Sequence, residues 1–154
     1  MDDVFESENS GFRLRRLPAG RIWVAVSFGP PLAERLAALA STPFALRDAG
    51  PRAWLIVDDD PRPFDEAEHT LAPEGALVDL SHGRARFEIS GPGARAKLAT
   101  GTAVDLAPSA FPEGAGCETM FNHVGIHLTR LAGDRFELLV ARSFAESLWR
   151  ELTG

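Results

Sequence analysis

Cysteine, lysine and long apolar runs are scarce in this chain. The one cysteine, Cys117, rules out an internal disulfide and fits a reducing compartment. No apolar stretch reaches the ~20 residues that a membrane-spanning helix needs. The opening Met1-Asp2-Asp3-Val4-Phe5-Glu6-Ser7-Glu8 is acidic and lacks the basic-then-apolar layout of a secretory signal, so a cytoplasmic setting is expected. Of the 16 basic residues all but Lys97 are arginine, and the formal net charge is −6. Phosphate binding needs clustered cations, so this balance argues against nucleic acid and anionic membrane as partners. What remains is globular: 45% hydrophobic and 25% charged over 154 residues, long enough for a real core.

The most informative stretch runs from Arg84 to Leu106. Ala85, Phe87 and Ile89 alternate with Arg84, Arg86 and Glu88, the period of a half-buried strand. Ser90-Gly91-Pro92 breaks it, with proline suited to a first helical turn. Ala94 to Leu98 continues as a short helix, and Gly101 marks its stop. The same unit occurs earlier: strand Trp23 to Phe28, corner Gly29-Pro30, helix Pro31 to Ala40. Gly29 and Gly91 are 62 residues apart, as are Leu36 and Leu98. A second echo, Ala49-Gly50-Pro51-Arg52 against Ala132-Gly133-Asp134-Arg135, is offset by 83, so the second copy carries 21 extra residues after its helix. This pattern reads as a diverged internal duplication. The expected organisation is a flexible N-terminus over residues 1–10 and a single domain over 11–154, with pseudo-repeat halves at about 11–71 and 76–154.

Other elements follow from local signals. Phe12 and Leu14 lie in a first strand. Leu32, Leu36 and Leu39 form one helical face. Phe44 to Arg47 and Ala53 to Val57 are strands joined by a turn. Phe64 to Leu71 reads as a helix and Ala76 to Leu80 as a strand. Ala107 to Gly116 is a loop anchored by Phe111, and Glu118 to Leu131 is strand-like with a break expected at Gly125. The last helix starts at an apparent capping box, Ser143-Phe144-Ala145-Glu146, with Phe144, Leu148 and Leu152 as its apolar stripe. Mainly antiparallel strands with separate helices make an α+β two-layer plan.

Each chemical motif has a plainer explanation. His123 and His127 are four apart with Cys117 nearby, but the intervening Val124-Gly125-Ile126 disfavours the helix on which that spacing would suit zinc. Ser81 and His82 are adjacent, so on a strand they point to opposite faces, and the pair reads as a turn. Gly91-Pro92-Gly93 lacks the dinucleotide fingerprint and the P-loop lysine. Asp58-Asp59-Asp60 with Asp65, Glu66, Glu68 and His69 reads as a solvated acidic connector. Arg142 stands at the positive end of the last helix, which disfavours a cation by about 0.3–1 kcal/mol. It needs an acidic partner, either Asp79 or Asp105 in their apolar segments or a carboxylate on another chain. No catalytic, cofactor-binding or metal constellation stands out, so Asp79, His82, Asp105 and Arg142 are candidates for structural or interface roles.

An ordered set of segments carries a family resemblance. It comprises Val78-Asp79-Leu80-Ser81-His82, Ile89-Ser90-Gly91-Pro92, Val104-Asp105-Leu106, Phe111-Pro112-Glu113-Gly114 and Arg142-Ser143-Phe144-Ala145-Glu146-Ser147-Leu148-Trp149. Together these resemble the gamma subunit of heterotetrameric sarcosine oxidase. The resemblance implies an internally duplicated fold similar to the folate-binding domain of aminomethyltransferase. It also implies a non-catalytic, structural role in a flavoenzyme complex that oxidises an N-methyl amino acid. The expected partners are the larger alpha and beta subunits, which hold flavins, NAD and folate, and further the zinc-holding delta subunit. This chain itself is expected to hold no cofactor. The alternative is a stand-alone folate-binding or C1-transfer protein of the same fold.

Overall fold

The computed structural model describes residues 4–7 and 9–154. Among them the strands are β1 (Val4–Ser7), β2 (Phe12–Leu17), β3 (Arg21–Ser27), β4 (Leu46–Gly50), β5 (Ala53–Asp58), β6 (Gly75–Asp79), β7 (Arg84–Ser90), β8 (Gly116–Phe121), β9 (Val124–Ala132) and β10 (Arg135–Ala141). The helices are α1 (Ala33–Leu39), α2 (Phe64–Leu71), α3 (Ala94–Ala99) and α4 (Ala145–Thr153). Every described strand pair is antiparallel. No helix among the described residues is long and apolar enough to cross a membrane.

The chain forms two compact units, Met1–Pro18 with Gly83–Gly154, and Ala19–His82. In the first, a six-stranded sheet runs β1-β2-β7-β10-β9-β8. Its core joins Leu14, Phe87, Ile89, Leu128, Phe136 and Leu138 from the sheet to Ala94 and Leu98 of α3 and to Ala145, Leu148 and Leu152 of α4. In the second, a four-stranded sheet runs β4-β5-β3-β6. Trp23, Ala25, Ile56 and Leu77 there pack against Leu36 and Leu39 of α1 and Ala67 and Leu71 of α2. Each unit is thus one sheet with helices on one face, the α+β plan expected.

Strand order explains why the units differ from the expected sequence halves. In both units the strand before the Gly-Pro corner is central: β3 lies between β5 and β6, and β7 between β10 and β2. Yet β2 precedes β3 in the chain and pairs with β7, while β6 precedes β7 and pairs with β3. Each half therefore gives its first strand to the sheet of the other. Both hairpins also carry a bulge close to the turn: Ala49 is the extra residue in β4 and Leu131 in β9. The 21 residues by which the second stretch is longer supply a loop and β8.

Several local expectations are corrected. Residues 1–3 and 8 of the expected flexible N-terminus lie outside the described residues, but Val4–Ser7 pairs with β2 residue for residue. The expected strand from Phe44 begins as a single 3-10 turn, Pro43–Ala45. The break between β8 and β9 falls at Asn122, whose φ is 51°, not at Gly125, which lies inside β9. Phe111 is the anchor expected, its ring stacked 6.5 Å from that of Phe136. Ser143 makes no capping bond: Arg142–Phe144 is a 3-10 turn, Phe144 holds the cap position of α4, and Glu146 pairs with Arg150 instead. Phe144 is 53% exposed, and Ala145, Leu148 and Leu152 form the buried stripe.

Candidate functional site

The second unit carries a buried ion pair. Arg21 opens β3 and Asp58 closes β5, and the ladder sets the two opposite each other. Both are buried. Arg21 Nε and Nη2 donate to the two oxygens of Asp58 at 2.7 and 2.6 Å, a bidentate pair. Nη2 also donates to Leu39 O at 2.7 Å, which ties the end of α1 to the sheet. The guanidinium carbon stands 4.4 Å from the centre of the Trp23 ring. Asp58 further accepts from the backbone N–H groups of Ser41 and Asp60, each at 3.1 Å. Burial pushes the Asp58 carboxyl up, but the Arg21 hydrogen bonds and those two N–H donors outweigh it and hold the group below the usual carboxylate range. A carboxylate so engaged is a poor proton acceptor for a substrate, so the pair acts as a clamp. Beside it, Ala37, Ala40, Ser41, Thr42 and Leu46 line a cleft of about 350 Å³.

Sequence reading placed Asp58 in an exposed acidic connector and did not single out Arg21. A usable signal was present: an apolar strand ends in an acid, and another apolar strand begins with a base. The first unit has a related pair, Arg86 Nε to Glu137 Oε1 at 3.0 Å, with both residues buried. Alternation alone had put Arg86 on a solvent side.

The remaining candidates disperse. His127 is buried in β9, its Nδ1 3.4 Å from Thr129 Oγ1, while His123 is exposed in the turn before it. Among the described residues no three His, Cys, Asp or Glu side chains are grouped to hold a metal ion. Burial, and then the charge of Glu118, pushes the Cys117 thiol up, the opposite of an activated thiolate. Asp79 is exposed and accepts from the N–H and the hydroxyl of Ser81, at 2.9 and 2.6 Å. Asp105 is exposed and accepts from Ala107 N–H at 3.0 Å. Each aspartate thus stabilises its own turn rather than lying buried and in need of Arg142. His82 and Arg142 are exposed. The backbone N–H of Arg142 donates to Gly83 O at 2.9 Å.

The Gly91 corner has a definite reason for its glycines. Gly93 N–H donates to Gly11 O at 2.9 Å. A Cβ on Gly91 would lie 2.6 Å from Gly11 O, and one on Gly93 would overlap the Ser10 carbonyl. The turn before β2 therefore occupies the space where an anion would have to sit.

Comparison with known proteins agrees with this picture. A model of the sarcosine oxidase, gamma subunit family matches residues 18–154. No curated protein sequence matches the chain. Among solved structures, a chain of heterotetrameric sarcosine oxidase from Corynebacterium sp. U-96, in complex with pyrrole 2-carboxylate, is similar with a TM-score of 0.82 and 22% identity, over 96% of this chain and 84% of that one. Glycine cleavage system aminomethyltransferase T from Bartonella henselae is similar with a TM-score of 0.64 and 20% identity, over 92% of this chain and 45% of that one. At these identities the likeness is one of fold. The family match spans nearly all of the chain, which therefore belongs to the sarcosine oxidase gamma subunit family.

Proposed function

We propose that the chain is a non-catalytic subunit of a sarcosine oxidase-type flavoenzyme complex, with a structural role beside larger alpha and beta subunits. The family match over residues 18–154 carries this reading. The polar groups described above support it, because Asp58 serves an internal clamp and the Cys117 thiol is held protonated. Flavins, NAD and folate then reside in the larger subunits, the complex oxidises an N-methyl amino acid, and it works in the cytoplasm. The test is co-expression with those subunits and purification through a tag on this chain. The expected result is a stable complex whose flavin absorbance is wholly lost from the isolated chain. The aminomethyltransferase-like fold favours a second reading, a stand-alone folate-binding protein. Calorimetric titration of the isolated chain with tetrahydrofolate separates the two, since stoichiometric binding without complex formation would replace the first by the second.

A further inference from the structure

The two units put equivalent strips of sheet into opposite chemistry. In the first unit Glu88 opposes Arg15 across the β7–β2 ladder, and Arg15 Nη2 lies 3.1 Å from Glu88 Oε1. The position 62 residues before Glu88 is Val26, which opposes Ala76 across the β3–β6 ladder. Val26 is 36% exposed, Val78 46% and Phe28 64%. Trp23, Ala25 and Leu77 face the helices, so Val26 and Val78 lie on the opposite face by alternation. The paired charges of Arg15 and Glu88 in one unit thus correspond to the apolar Val26 and Ala76 in the other, where Val26, Phe28 and Val78 are exposed.

The edges differ in the same sense. β2 is covered by β1, whereas β6, its counterpart, is the outermost strand of its sheet. The bonds Phe28 N–H to Glu74 O at 2.9 Å and Leu80 N–H to Ile22 O at 2.8 Å mark the even-numbered residues as the ones bonded to β3. The backbone groups of Leu77 and Asp79 are therefore directed away from β3. β4, the opposite edge, is guarded by its bulge and by the exposed, charged Asp48. β6 has a regular ladder without bulge or proline, and its one charge, Asp79 at the strand end, is engaged by Ser81.

The geometry points to strand addition at β6: an extended segment of a larger partner subunit pairs with its outer edge and sets apolar side chains over Val26, Phe28 and Val78. This rests on the reading of the chain as a subunit of a heteromeric complex. β1 on β2 shows the form the occupant takes, a short antiparallel strand. A second copy fits less well. Antiparallel β6–β6 pairing about a two-fold normal to the sheet would place both apolar strips on one face of a continued sheet and leave Phe28 uncovered. A segment of a different chain can cover edge and face together.

The test uses the chain with its larger subunits. Val26→Lys and Val78→Lys, checked for wild-type melting in isolation, are expected to weaken assembly at least tenfold, while Met120→Lys on β8 leaves it unchanged. Hydrogen exchange on wild-type chain needs no variant: the Leu77 and Asp79 amides are expected to slow at least tenfold in the complex. Assembly at wild-type affinity in both variants, with unchanged exchange at those amides, would overturn the edge while leaving the subunit reading intact. A wild-type chain that does not assemble at all would overturn both. An isolated chain that dimerises, with the dimer lost in Val78→Lys, would replace the partner subunit by a second copy.

Discussion

In the first unit the four central strands β2, β7, β10 and β9 are flanked by β1 and β8, while in the second the matching β6, β3, β5 and β4 have no flanking strand among the described residues. The same arrangement thus comes once with its edges paired and once with them open. The surfaces follow suit: Arg15 and Glu88 in one, Ala76 and Val26 in the other. A paired edge offers no free backbone groups to another chain. An open edge beside exposed valine and phenylalanine costs solubility, and that cost is met when another chain covers it. Two units of one chain thus share a strand order and differ in what their edges and surfaces present.

The buried clamp provides the largest expected effect that would sharpen this contrast. Asp58→Asn leaves the buried Arg21 without its counter-charge and is expected to destabilise the chain by about 3–5 kcal/mol in urea denaturation at neutral pH. Asp58 has a lowered folded pKa, so its contribution is complete above the ordinary carboxylate range and is lost as pH falls through the folded value. Wild type should accordingly lose stability in acid through this group, and the Asn variant should lack that component. An Asn variant as stable as wild type would remove the clamp from the account of the second unit.

The two Gly-Pro corners give a smaller difference. Gly29 has φ 156° and open space where a Cβ would go, whereas Gly91 has φ 110° and the Gly11 carbonyl in the way. Gly91→Ala is therefore expected to cost about 1–3 kcal/mol more than Gly29→Ala, from the clash added to backbone strain. Equal midpoints for the two variants would mean that the turn before β2 does not pack on this corner. The smallest effect belongs to the last helix. Ser143 makes no cap bond, so Ser143→Ala should shift stability by no more than about 0.5 kcal/mol. A loss near 2 kcal/mol would restore the capping box that its sequence suggests.

Local patterns in the sequence correspond to the elements they mark. The period of Leu32, Leu36 and Leu39 marked the buried face of α1, and Phe64–Leu71 formed as the helix expected. Alternation along β7 placed Ala85, Phe87 and Ile89 in the core. These depend on residues within one or two turns or strand repeats of each other. Asp58, by contrast, looked like the first of three solvated aspartates, because its partner Arg21 is 37 residues away. Arg86 looked solvent-facing because Glu137 is 51 residues away. Of the site candidates, Asp79 and Asp105 proved to hold their own turns, and Ser143, expected as a helix cap, makes no cap bond.

By itself the sequence marked most of the elements, the two strand-corner-helix stretches and the family, since each rests on short-range pattern or on ordered motifs. Only the tertiary structure decided that each half lends its first strand to the other sheet, which charges are buried, and which sheet edge stays open. Those outcomes are set by which strands pair, and pairing joins residues far apart in the chain. Periodicity gives a strand two faces but does not say what will lie against either of them.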